Sequence, residues 1–246
     1  ALGELEGGLG SCFSSGMAAT HALITAACNA GEHVVLPNDL YGGTYRLLDK
    51  VLTRFGLRYD LVDQTDLEAL ERAVTPETTL IWVETPTNPL LNVVDIQAVA
   101  ARKRNALVAV DNTFATPVIQ RPIELGADAV VHSATKYLGG HSDVVGGAVV
   151  VRDEDIHERV RFVQNAVGAV PGPFDCFLVH RGLRTLHLRV AAHTENGRAV
   201  TELLRSLPEV SDVRWPGFGG MVSFRHPDAT GIAAETRIFS LAESLG

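Results

Sequence analysis

A lysine placed just past a buried strand becomes a nucleophile when partial desolvation lowers its pKa. Lys136 stands in such a place, because Ser133-Ala134-Thr135-Lys136 follows a candidate buried strand, 129–132, and is followed by Gly139, Gly140, Gly146 and Gly147. Two hydroxyls and one amine thus reach one sheet edge. Asp111 closes a second apolar run, 107–110, so a carboxylate is delivered to the same edge. Near the start of the chain, Ser14-Ser15-Gly16-Met17 ends a glycine-containing loop and opens a helix that begins Ala18-Ala19-Thr20. Unpaired N–H groups and the positive end of the helix dipole converge there, which favours an anion. Taken singly, each feature has a plainer reading: a serine cap, a loop-capping acid, a solvated lysine.

These groups meet only if the chain builds a sheet with one functional edge. Short apolar runs alternate with amphipathic stretches, the rhythm of strands and crossover helices in a mostly parallel sheet. The runs 33–37, 59–62, 79–84, 107–110, 129–132 and 147–151 read as strands buried on both faces. Helices are expected over 17–29 (closed by Gly31), 43–55 (closed by Gly56), 66–74, and 95–104, opened by an acidic cap. Beyond Asp153 the pattern changes to helices over 154–165 and 174–207, then a strand over 210–214. A boundary near Leu186 gives a large cofactor-binding domain, 1–185, and an incomplete α/β C-terminal domain, 186–246.

Composition narrows the chemistry. With 246 residues, 46% hydrophobic and 20% charged, the chain has enough apolar content for a core and is not disordered. A net charge of −8 argues against bulk affinity for nucleic acid, and no apolar run has membrane-spanning length. Cys12, Cys28 and Cys176 show no C-x-x-C spacing and lie in apolar stretches, so they read as buried thiols of a cytoplasmic protein rather than a disulfide framework. The first residues, with Glu4 and Glu6 and no basic region, do not read as an export signal. G-x-G-x-x-G and P-loop signatures are absent, as is H-E-x-x-H, and the nine histidines are scattered, so no metal site is expected. Neither Ser14 nor Ser15 has the preceding glycine of a nucleophile elbow. An anion cradle, an acid and an amine on one edge suit pyridoxal 5'-phosphate (PLP). That cofactor needs its phosphate held, its pyridine nitrogen kept protonated, and its aldehyde tied to a lysine.

Six motifs then carry a family resemblance: Ser14-Ser15-Gly16-Met17-Ala18-Ala19, Tyr41-Gly42-Gly43-Thr44, Glu84-Thr85-Pro86-Thr87-Asn88-Pro89, Val110-Asp111-Asn112-Thr113-Phe114, Ser133-Ala134-Thr135-Lys136-Tyr137 and Ser240-Leu241-Ala242-Glu243-Ser244-Leu245-Gly246. In this order they resemble the cystathionine γ-synthase and γ-lyase branch of the Cys/Met metabolism PLP-dependent enzymes. The resemblance implies the aspartate-aminotransferase-like, fold-type I architecture. It makes Lys136 the Schiff-base lysine and proton carrier, pairs Asp111 with the pyridine nitrogen and stacks Tyr41 on the ring. Gly16 and Met17, with Ser133 and Thr135, would hold the phosphate, and Asn88 would lie beside the phenolic oxygen. Arg46, Glu243 and Ser244 would meet the distal part of the substrate.

The implied reaction is γ-replacement on an O-acylhomoserine by cysteine, a transsulfuration step of methionine biosynthesis. The alternatives are γ-elimination of cystathionine or a related C–S cleavage, and more distantly a PLP-fold binding protein without activity. Gly43 stands where methionine γ-lyases tend to carry cysteine, and Glu243 stands as in the cystathionine enzymes. The runs Tyr41-Gly42-Gly43-Thr44-Tyr45-Arg46-Leu47 and Gly219-Gly220-Met221-Val222-Ser223 resemble bacterial synthases. The family also implies a homodimer or homotetramer with active sites shared between subunits. Against the family pattern, the chain starts after the N-terminal arm, has a short connection between Gly217 and Phe218, and stops before the arginine that grips the substrate carboxylate.

Overall fold

The computed structural model describes residues 1–242. In chain order the elements are α1 (Leu2–Glu6), β1 (Leu9–Phe13), α2 (Gly16–Ala27), β2 (His33–Pro37), α3 (Gly42–Lys50), β3 (Arg58–Val62), α4 (Leu67–Ala73), β4 (Thr78–Glu84), α5 (Ile96–Ala100), β5 (Leu107–Asp111), α6 (Thr116–Ile119), β6 (Ala129–Ser133), β7 (Gly147–Val151), α7 (Glu154–Val167), α8 (Pro173–Leu183), α9 (Leu186–Ser206), β8 (Ser211–Arg214), β9 (Ser223–Arg225) and α10 (Ala229–Glu235). Seven strands form one sheet in the order β1-β7-β6-β5-β4-β2-β3, and β8 pairs with β9 in a separate antiparallel ribbon. From β3 to β6 all pairs are parallel, whereas β7 runs antiparallel to both β6 and β1. This is the mostly parallel α/β architecture expected.

Alternate residues of the central strands feed two different cores, which is why these strands read as unbroken apolar runs. Leu80 and Trp82 of β4 face Leu23 and Ile24 of α2 and Val160 of α7. Ile81 and Val83 face Leu70 of α4 and Val99 of α5. Asp66, Asp95 and Asp153 cap α4, α5 and α7 by accepting backbone N–H bonds in the first turn, so the expected acidic opening at Asp95 is present.

Several expectations are corrected. β3 is not buried on both faces, because it is an outer strand of the sheet and Arg58, Asp60 and Leu61 are exposed. β1 was not anticipated; it occupies the other sheet edge with only Ser11 and Phe13 buried, too little alternation to register in sequence. The expected helix 95–104 stops at Ala100, and 174–207 is two helices broken at Arg184 and Thr185. Cys12 and Cys176 are exposed and Cys28 is half-buried, since β1 and α8 turn those positions outward; all three are free. Among the described residues, no helix is long and apolar enough to cross a membrane.

Parallel strands end on one side, and the chain direction reverses between β2 and β4: from β2 it passes outward to β3, then back across to β4, β5 and β6. A crevice at the carboxyl edge forms where such a reversal occurs. The segments that follow β2, β4, β5 and β6 all open onto it.

Candidate active site

A cavity of about 350 Å³ lies at this edge, bounded by the start of α2 and by the ends of β4, β5 and β6. Lys136, Asp111, Tyr41, Asn88, Gly16, Met17, Ser133 and Thr135 all line it. Eight of the expected site residues, spread from position 16 to 136, are therefore brought to one place. Arg46 is not among the lining residues: it is exposed on α3, its guanidinium lying back over Gly42, next to Tyr41. Glu243 and Ser244 lie outside the described residues.

The chain has three lysines, and their surroundings separate them. Lys50 is paired with Asp49 at 2.6 Å, a contact that raises its pKa. Lys103 is paired with Asp128 at 2.6 Å. Lys136 alone is half-buried in the cavity wall, and desolvation lowers its pKa below the ordinary 10.5. Of the three, it is the amine best able to stand neutral and attack a carbonyl.

Asp111 is the last residue of β5 and accepts the Thr113 N–H at 3.1 Å. Thr113 in turn accepts the Ser133 N–H at 2.8 Å, so the acid and the lysine loop are tied through one threonine. Burial raises the Asp111 pKa, against the bonds from Thr113 and the influence of His132. Glu84 closes β4 directly beside it, in register with Asp111, and its pKa is raised well above the usual carboxylate range by burial and by Asp111. Two buried carboxyl groups this close disfavour each other's ionisation, and a cation next to Asp111 would offset that cost. Glu84 opens the Glu84-to-Pro89 motif, and the sequence expectations assign it no role. The signal was available, because Glu84 ends a buried apolar run just as Asp111 does.

At the opposite wall, Ser15 caps α2 by accepting the Ala18 N–H at 3.1 Å. The first-turn N–H groups of Gly16 and Met17 have no carbonyl within the helix to bond, and both residues line the cavity. Close approach here requires glycine: a Cβ at Gly16 would come within 2.8 Å of the Ser133 Cβ. Thr135 exchanges hydrogen bonds with the backbone of Gly146, at 3.2 and 3.3 Å, which pins the lysine loop to the strand that follows.

Tyr41 is 45% exposed, a large aromatic ring without full cover at the cavity mouth. Its position depends on Gly43, where a Cβ would stand 2.3 Å from Tyr41 Cε1 and 2.9 Å from Met17 Sδ. Gly43→Ala is expected to push the ring aside and weaken cofactor affinity about tenfold, equivalent to about 1.4 kcal/mol, within the usual range for overpacking. Fluorescence titration of the cofactor-free protein checks this, and an affinity matching wild type contradicts it.

The arrangement fits PLP on its own geometry: first-turn N–H donors for a phosphate, the strand-end acid Asp111 for a protonated ring nitrogen, and a desolvated amine for the aldehyde. A second cavity of about 410 Å³, between β1 and α8, has no lysine or arginine in its lining and no such set of groups. Among the described residues, no group of three or more His, Cys, Asp or Glu could hold a metal ion.

Comparison with known proteins agrees with this geometry. The family model described as Cys/Met metabolism PLP-dependent enzyme matches residues 1–246. The chain is 53% identical to a cystathionine gamma-synthase of Mycobacterium tuberculosis, over 98% of this chain and 68% of that protein. It is 48% identical to a cystathionine beta-lyase of Lactococcus lactis subsp. cremoris, over 100% of this chain and 70% of that protein. Its structure superimposes on that of a cystathionine gamma-lyase of Lactobacillus plantarum complexed with L-serine with a TM-score of 0.96 and 41% identity, covering 99% and 69% of the two chains. The chain therefore belongs to the Cys/Met metabolism PLP-dependent enzyme family, with pyridoxal 5'-phosphate as its cofactor.

Proposed function

We propose that the protein is a cystathionine γ-synthase, catalysing γ-replacement on an O-acylhomoserine by cysteine. The observation that carries a PLP-dependent reaction at this edge is the convergence of Lys136, Asp111 and the start of α2 on one cavity. The choice of synthase is supported by the 53% identity to the mycobacterial protein of that name.

Bound PLP supplies an electron sink for negative charge that develops on the carbon next to the substrate amine. Gly16 and Met17, with Ser133 and Thr135, would hold its phosphate. Asp111 would keep a proton on the ring nitrogen, with Tyr41 against the ring and Asn88 near the phenolic oxygen. Lys136 Nζ would remove the proton from Cα, hand it on to the bound cofactor and, neutral again, take a proton from Cβ, so that the acyloxy group leaves from Cγ as a carboxylate. One amine serves both carbons because they are adjacent and its stem is flexible. The cysteine thiol would then lose its proton and bond to Cγ, and protons return to Cβ and Cα, giving cystathionine and the free acid. Arg46, one turn into α3 beyond Tyr41 and outside the cavity lining, would meet a distal carboxylate together with Glu243 and Ser244, assigned to the same end of the substrate.

Lys136 must be neutral to join the cofactor aldehyde. The rate of cofactor uptake by the cofactor-free protein is therefore expected to rise with pH and to level off below the 10.5 of an ordinary lysine. The unfolded chain binds this proton more tightly than the folded one, so the same group adds stability as pH climbs from its folded pKa toward 10.5. Rapid-mixing absorbance across pH measures the midpoint, and a value at or above 10.5 contradicts the assignment.

We also place the protein in the cytoplasm, on its three free cysteines, and read it as a homodimer or homotetramer. Phe162 of α7 and Phe174 and Phe177 of α8 are exposed, which suits a surface covered by another copy. Incubation with O-succinylhomoserine plus cysteine, and separately with cystathionine, tests the activity. Cystathionine formed in the first mixture, with little ammonia or 2-oxo acid from the second, supports the synthase. Rapid release of 2-oxobutanoate or pyruvate from cystathionine favours the lyase reading, for which the 48% identity to the lactococcal protein speaks.

A further inference from the structure

We propose that Glu84 is a positioning residue of this site, its buried carboxyl bridging the loop that carries Tyr41 and the loop that carries Asn88 and so setting where both side chains meet the cofactor. The inference rests on the functional reading above and deepens it. Glu84 is 3% exposed, yet it forms none of the ion pairs seen among the described residues. Its two oxygens serve different loops instead: Oε2 accepts the Tyr41 N–H at 2.7 Å, and Oε1 accepts the Asn88 N–H at 3.1 Å. Tyr41 precedes the first turn of α3, and Asn88 lies in the segment after β4 that contains the cis Thr85-Pro86 and Asn88-Pro89 bonds.

The tie is reciprocal. Asp39, in the β2–α3 loop, accepts from the Thr87 hydroxyl at 2.6 Å and the Asn92 side-chain amide at 2.8 Å. Each loop therefore reaches into the other with a carboxyl group. Burial, Asp111 and Asp39 all oppose ionisation of Glu84, and the two N–H donors favour it. An acid at such a place is costly unless its acceptor geometry is needed. That need is specific: a carboxylate accepts at both oxygens, whereas the Gln amide accepts at one end and presents donors at the other. Glu84→Gln must release one loop while filling the same space, and Glu84→Ala must release both.

Hydrogen exchange of the cofactor-free protein, followed by titration with PLP, tests this without using turnover. In wild type the Tyr41 and Asn88 amides should be protected, since their partner is a buried carboxyl; unprotected amides would overturn the proposal even if no variant folds. In Glu84→Gln one of the two amides should exchange about tenfold faster or more, while the β4 amides of Ile81 and Val83 keep their protection. The cofactor dissociation constant should rise about tenfold in Glu84→Gln and about a hundredfold in Glu84→Ala, in step with one and two loops released. Wild-type exchange in both variants, or faster exchange with unchanged cofactor affinity, overturns the positioning role. If wild type itself takes up no PLP, the functional reading fails, while the exchange data still report on the bridge.

Discussion

Lys136→Ala is expected to lower turnover of O-succinylhomoserine with cysteine by about 10³–10⁴-fold, the effect of deleting a general base together with the amine that secures the cofactor. Lys136 is half-buried, so removing its side chain leaves the strands behind it intact. The phosphate cradle at α2 is also untouched. The variant should therefore still take up PLP, more weakly and without a borohydride-stable link. Steady-state assays and a cofactor titration separate the two effects. Turnover within tenfold of wild type contradicts the role given to Lys136, because Lys50 and Lys103 are held in ion pairs and line no part of the cavity.

Asp111→Asn tests the opposite end of the cofactor. Asparagine can still accept the Thr113 N–H, so the local fold is retained. What is lost is the negative charge that keeps a proton on the ring nitrogen. The expected cost is about 10²-fold in turnover, equivalent to about 3 kcal/mol, the upper range for a hydrogen bond to a charged group. Stability should move the other way. Because burial raises the Asp111 pKa, the folded chain binds this proton more tightly than the unfolded one, and stability falls as pH rises from 3.8 through the folded value. The asparagine variant lacks that loss, so its cofactor-free form should melt no lower than wild type near pH 8, with the gap narrowing on acidification. A variant that is both inactive and less stable at that pH would point to a structural role instead.

These residues were legible because a buried strand announces its end. Val108 and Val110 of β5 lead to the polar stop Asp111, and Val130 and Val131 of β6 lead through the buried His132 to the Ser133-to-Lys136 segment. Edges are harder to read. β3 carries an apolar run but is covered on one side only, and β1 buries just two residues, so one looked more buried than it is and the other went unnoticed. The break at Thr185 carries no proline or glycine and is set by packing, with Leu186 and Val190 of α9 turned into the core beneath the lysine loop. Glu84 stops its strand as Asp111 does, so its place at the edge is legible while its bonding partners are not. Its function lies in accepting N–H bonds from two loops, 43 residues upstream and 4 downstream, and no local pattern reveals such partners. Arg46 shows the converse: the resemblance assigns it to the distal part of the substrate, yet it does not line the cavity.

One measurement bears most directly on the idea that Lys136, Asp111 and the start of α2 form a single cofactor pocket. The protein is loaded with PLP, reduced with borohydride, digested, and its three lysine-containing peptides are mapped by mass. A visible band that disappears on reduction, with the label on the peptide containing Lys136, is the predicted result. A colourless protein, or label carried by Lys50 or Lys103, would contradict it.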